Sequence, residues 1–130
     1  ELFGEALPYF LNYNINDPDA IFMTGLCYMK INKYKEALDK FELYVQLKGT
    51  NRETNYYMGI CQYSLNQFSQ AAKLFKKLIK SDNQNADALF RLGVCYIEID
   101  KIREAKKISN NLYYLDTTLY DSLNMIISNK

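Results

Sequence analysis

The stretch GLCYMKI, residues 25–31, returns as GICQYSL at 59–65 and as GVCYIEI at 93–99, each copy 34 residues after the last. Other positions keep the same step. An alanine follows at Ala37, Ala71 and Ala105, with Tyr34, Phe68 and Ile102 three residues before it. Phe41 and Phe75 also correspond, whereas the third copy has Ser109. Small and large residues recur at fixed offsets without a gap, the mark of a structural repeat.

Each copy reads as two helices. In the first, Ile21, Met23, Leu26, Cys27 and Tyr28 fall at helical spacing, and Asp17, Pro18 and Asp19 supply an N-terminal signal. A polar pair follows (Asn32-Lys33, Asn66-Gln67, Asp100-Lys101), short enough to force an antiparallel return. The second helix then buries Ala37, Leu38, Phe41, Tyr44 and Val45. The expected spans are 18–31 with 34–47, 52–65 with 68–81, and 86–99 with 102–114. Period-two alternation is absent, so the fold class is all-α. Gly25, Gly59 and Gly93 each cost roughly 0.8–1.0 kcal/mol against alanine in a helix. That cost is offset if they let paired helices approach at the short end of the usual range of about 8–10 Å.

This pattern resembles the tetratricopeptide repeat (TPR) family, built on a helix–turn–helix of about 34 residues. Gly25, Gly59 and Gly93 match the family's small first-helix residue, and Ala37, Ala71 and Ala105 its second-helix alanine. Tyr28 and Tyr96 match a tyrosine three residues past the small one, where Gln62 departs. Gly49, Asn83 and Thr117 stand in place of the family's closing proline. The resemblance implies a right-handed α-solenoid, a superhelix of antiparallel helix pairs. It divides the chain into a half-repeat at 1–17, repeats at 18–51, 52–85 and 86–119, and a capping helix or incomplete repeat at 120–130. The half-repeat rests on FGEALPYFLNY (3–13), which mirrors YKEALDKFELY (34–44): Phe3, Ala6, Phe10 and Tyr13 take the places of Tyr34, Ala37, Phe41 and Tyr44. Pro8 is expected to kink this helix. Near the C-terminus, Ile127 falls where a fourth small residue belongs, hence the reading as a cap.

The 130 residues amount to one domain, and a net charge of +1 sets up no long-range field toward nucleic acid or an anionic membrane. Histidine is absent altogether, which removes the commonest general base and the commonest metal ligand. There is also no glycine loop to cradle phosphate and no carboxylate pair with a reason to converge. No enzyme activity, cofactor or metal is therefore expected. No apolar run approaches the ~20 residues that span a bilayer, so no membrane insertion is expected. The chain opens on Glu1 rather than Met, without a signal-peptide pattern, and is expected to be a segment of a longer protein. Cys27, Cys61 and Cys95 share one register position, two residues past each glycine. Neighbouring repeats would hold them too far apart for disulfides, and three thiols make a poor zinc site. They are read as buried packing residues, and reduced thiols point to the cytoplasm.

The resemblance also implies a concave face lined by the first helix of each repeat. Its fifth, ninth and twelfth positions give Phe22, Leu26 and Met29; Tyr56, Ile60 and Tyr63; and Phe90, Val94 and Ile97. This apolar ladder points to a peptide or protein segment with hydrophobic anchors, as in TPR proteins that cradle client segments, such as bacterial secretion chaperones. The alternative is a structural segment of a longer TPR protein with no peptide ligand of its own, which joins domains or self-associates, for instance as a homodimer by end stacking. TPR proteins that clamp acidic chaperone tails use Lys, Asn, Asn, Lys and Arg, at positions occupied here by Phe22, Leu26, Tyr57, Asp87 and Arg91. Only Arg91 fits, so no such partner is expected. Asp19, Glu53 and Asp87 sit near helix N-termini, where the dipole favours acids. Lys73, Lys76, Lys77 and Lys80 form a basic stripe read as a solvated convex face, not a nucleic-acid surface.

Overall fold

A computed structural model describes residues 2–11 and 16–130; Tyr13 lies outside them. Among the described residues there are eight α-helices and no strand. They fall into two compact units, Glu1–Leu65 and Asn66–Lys130.

The first unit contains α1 (Leu2–Leu11), α2 (Pro18–Lys30), α3 (Tyr34–Lys48) and α4 (Arg52–Ser64). The second contains α5 (Phe68–Ser81), α6 (Ala86–Glu98), α7 (Ile102–Leu115) and α8 (Thr117–Ser128). Side-chain caps start four of these helices. Asp17 accepts from the Asp19 amide at 3.3 Å, with Pro18 preset for the first turn. Asn51 and Thr54 form a reciprocal capping box with bonds of 2.8 and 3.0 Å. Asn85 and Asp116 each accept at 3.0 Å, from the amides of Ala88 and Leu119. A capping Asp or Asn therefore recurs with the repeat at 17, 51 and 85.

The polar pairs close the first helix of each repeat through left-handed residues: Asn32 (φ 64°), Asn66 (φ 60°) and Asp100 (φ 61°). After α2 the Asn32 amide bonds to the Met29 carbonyl at 3.1 Å and the Lys33 amide to that of Tyr28 at 2.8 Å. After α6 the Asp100 amide bonds to Ile97 at 3.1 Å and the Lys101 amide to Tyr96 at 2.7 Å. Both are Schellman closures, in which Asn and Asp stand in for the usual glycine. The Tyr34 hydroxyl also donates to Asn32 Oδ1 at 2.9 Å.

In the first unit α3 folds back on α2, and Phe41 lies fully buried across Gly25. A Cβ on Gly25 would stand 2.8 Å from that ring. Phe41 also stacks on Tyr57 of α4, with centroids 5.7 Å apart and planes at 14°. Burying one such ring contributes roughly 1.5–3 kcal/mol. By contrast α1 buries none of its side chains and runs through Pro8 as one helix; a Cβ on its Gly4 would lie 3.7 Å from Ile31 at the end of α2.

The second unit solves the same packing problem differently. Ser109 stands where α3 and α5 have Phe41 and Phe75, and it supplies no ring. Leu123 of α8 fills the space instead: a Cβ on Gly93 would lie 2.6 Å from its Cδ2. Asp116 ends α7, its amide bonding to Leu112 at 2.8 Å, and at the same time caps α8. The fourth first-type helix therefore begins at Thr117, inside the span assigned above to the third repeat. Counted from the caps, Asn124 rather than Ile127 takes the small-residue position.

Candidate protein-binding surface

Phe22 and Leu26 of α2 and Tyr56, Ile60 and Tyr63 of α4 lie in the first unit, all half-buried. Phe22, Leu26 and Ile60 rest on the core of Met29, Ala37, Leu38, Phe41 and Cys61. Phe22 is held in an aromatic cluster, its ring 5.5 Å from Phe41, 5.2 Å from Tyr44 and 5.9 Å from Tyr57. Tyr56 leans edge-on against Tyr57 at 5.6 Å. The arrangement is a half-buried apolar surface with aromatic edges, packed on the core beneath it.

The ladder is narrower than its spacing implies. Met29 and Val94 are 8% exposed and Ile97 is closed off completely, so these three are core residues rather than open rungs. The twelfth position sits just before the hairpin, and in the first repeat Met29 packs there against Ala37, Leu38 and Phe41 of the returning helix. Phe90, in the second unit, stays half-buried. Tyr44 and Tyr57, which pack on Phe22, were named above as a core residue and a clamp position but not as part of the ladder; Tyr57 could have been suspected from its place beside Tyr56.

Gly25, Gly59 and Gly93, Ala37, Ala71 and Ala105, and Cys27, Cys61 and Cys95 are all buried. The three cysteines are free thiols. Burial raises the pKa of each and pushes Cys61 and Cys95 up to about 12; for Cys95 the charge of Arg91 opposes the shift weakly. Such thiols are poor nucleophiles. Among the described residues no three His, Cys, Asp or Glu side chains converge on a metal-binding geometry. No helix among them is long and apolar enough to cross a membrane.

Arg91, which alone fits the carboxylate-clamp pattern, has its Nε 3.0 Å from Asp87 Oδ2. Asp87 occupies another clamp position, so the two neutralise one another. At Gln62, the departure from the tyrosine pattern leaves a buried Oε1 without a hydrogen-bond partner.

Two family models, each described as tetratricopeptide repeat, match residues 19–47 and 63–112. Among solved structures, residues 41 to the end of MamA from Desulfovibrio magneticus RS-1 superpose with a TM-score of 0.88 at 18% identity, covering 98% of this chain and 75% of that one. A second MamA crystal structure gives a TM-score of 0.82 at 20% identity, with 98% and 78% coverage. YrrB, described as a TPR protein with an unusual peptide-binding site, gives 0.82 at 22% identity, with 95% and 66% coverage. At these identities the likeness shows the fold. No curated protein matches the sequence. Repeat period, helix pairing and both family matches agree, and the chain belongs to the tetratricopeptide repeat family.

Proposed function

We propose that this chain is a non-catalytic scaffold that holds a peptide or protein segment by hydrophobic anchors on the surface formed by α2 and α4. The observation that carries this reading is the set of half-buried Phe22, Leu26, Tyr56, Ile60 and Tyr63 on two neighbouring first-type helices, backed by a packed aromatic core. The TPR fold is that of a protein–protein interaction scaffold, and the YrrB comparison supplies a peptide-binding precedent within it. A ligand that buries two or three apolar side chains gains roughly 1.5–3 kcal/mol from each. It pays for lost translational and rotational freedom, so moderate affinity is expected. Three buried thiols suit a reducing compartment such as the cytoplasm.

Selection from a random peptide library tests the reading. Recovered sequences are expected to carry Leu, Ile or Phe at spaced positions and to compete with one another. Recovery of only charged or unpatterned sequences would contradict it.

Self-association is the second reading, favoured by Tyr114 of α7 at 87% exposure and Met125 of α8 at 66%. Light scattering distinguishes them: a stable dimer disrupted by Tyr114→Ser with Met125→Ser supports end stacking, and a monomer at all concentrations excludes it.

A further inference from the structure

The basic stripe noticed in the sequence does not stand alone on a flat face. Lys73 and Lys76 of α5 border a cleft of about 430 Å³ whose other wall is the end of α6 and the α6–α7 turn, where Lys101 joins them. Ala72 and Ile99 give the cleft an apolar lining, and Ser69 and Tyr96 add hydroxyls. Among the described residues no acidic side chain lines it. None of the three ammonium groups is paired with a carboxylate among the described residues.

Two observations separate this cleft from an ordinary solvated helix face. Lys101 sits on backbone fixed by the Schellman closure, its amide bonded to the Tyr96 carbonyl at 2.7 Å behind left-handed Asp100. The base of its side chain is thus preorganised beside the cleft. Moreover, the charge is not required by the repeat. One period earlier, the places of Lys73 and Lys76 are taken by Asp39 and Glu42, of opposite sign. A second-type helix of this chain accepts either charge there, and at this cleft the cations are gathered around an apolar lining. Burial and, secondarily, the nearby Glu104 carboxylate raise the pKa of Tyr96.

We infer that this cleft binds an acidic stretch of a partner polypeptide, with carboxylates on Lys73, Lys76 and Lys101 and an apolar side chain against Ala72 and Ile99. Nucleic acid fits less well. The cations are lysines without an arginine fork, Tyr96 is a lone half-buried ring rather than a stacking platform, and a chain of net charge +1 provides no attracting field.

The test uses the full chain and fluorescence anisotropy with three labelled probes: the peptide EDLDEL, its charge-reversed counterpart KKLKKL, and a single-stranded oligouridylate. EDLDEL is expected to bind at least about tenfold more tightly than KKLKKL and to weaken as salt shortens the Debye length from about 10 Å at 0.1 M. Lys73→Glu with Lys76→Glu is expected to weaken it at least about tenfold, and Lys101→Gln by a smaller factor. The side chains are exposed, and an unchanged circular dichroism melt checks that each variant folds. Leu26→Ala with Tyr56→Ala, on the surface proposed above, is expected to leave EDLDEL binding unchanged. Equal binding of EDLDEL by wild type and the double-glutamate variant overturns the inference. So does tighter binding of the oligouridylate than of EDLDEL.

Discussion

Ser109 Oγ donates a 2.7 Å hydrogen bond to Asn124 Oδ1, tying α7 to α8 at the point where the other repeats place a phenylalanine. The adjacent Leu123 fills the space over Gly93. The packing over Gly93 is thus completed by a polar contact and an aliphatic side chain in place of one ring, a substitution that works because α8 arrives three residues early.

Restoring the repeat at this position should therefore destabilise it. Ser109→Phe is expected to cost about 1–3 kcal/mol by overpacking against α8, although phenylalanine is the residue in the two other copies. Ser109→Ala, which only removes the bond, should cost about 1 kcal/mol. Urea unfolding measures both, and a stabilised Ser109→Phe would refute the packing described.

The glycines should differ in sensitivity. Gly25→Ala places a methyl group 2.8 Å from the rigid Phe41 ring, whereas Gly93→Ala meets the tip of Leu123, which can rotate. Helix propensity returns roughly 0.8–1.0 kcal/mol in either case. Gly25→Ala is expected to lower stability by about 1–2 kcal/mol net, and Gly93→Ala by less. Thermal melts of the two variants give the order directly.

At Asn32 and Asp100 the backbone is left-handed, where a β-branched residue is strained. Asn32→Val or Asp100→Val should each cost roughly 1–2 kcal/mol. Asn32→Gly should lose little. Equal melting temperatures for Asn32→Val and Asn32→Gly would contradict the turn geometry.

Cys61 and Cys95 hold their protons up to about 12, against an ordinary value near 9. Because the folded pKa is raised, the unfolded chain loses these protons first as pH rises. Their contribution to stability is complete below about pH 9 and declines between about 9 and 12. Replacing both with alanine should flatten the fall in denaturation midpoint across that window. In the native protein a thiol reagent at pH 8 should label them only as fast as the chain opens.

Much of this was legible in the sequence because it is periodic. Gly25, Ala37 and Cys27 recur at a fixed step, and the two-residue polar turns leave little freedom in how helices pair. Burial depth was less legible. Met29, Val94 and Ile97 share a helix face with Leu26 and Phe90, and periodicity names that face without saying how far the returning helix covers it. The early start of α8 was hidden for another reason: Asp116 serves as the end of one helix and the cap of the next, so the loop on which a constant 34-residue step depends is missing. The company of Lys73 was hidden too, since Lys101 reaches it only through tertiary packing.

The most direct test of the binding surface on α2 and α4 is isothermal titration of a library-selected peptide into wild type and into Leu26→Ala with Tyr56→Ala. The expected result is a negative heat-capacity change on binding, from apolar burial, and a loss of at least about tenfold in affinity for the double variant, or 1.4 kcal/mol. Unchanged affinity in a double variant that still melts cooperatively would contradict it.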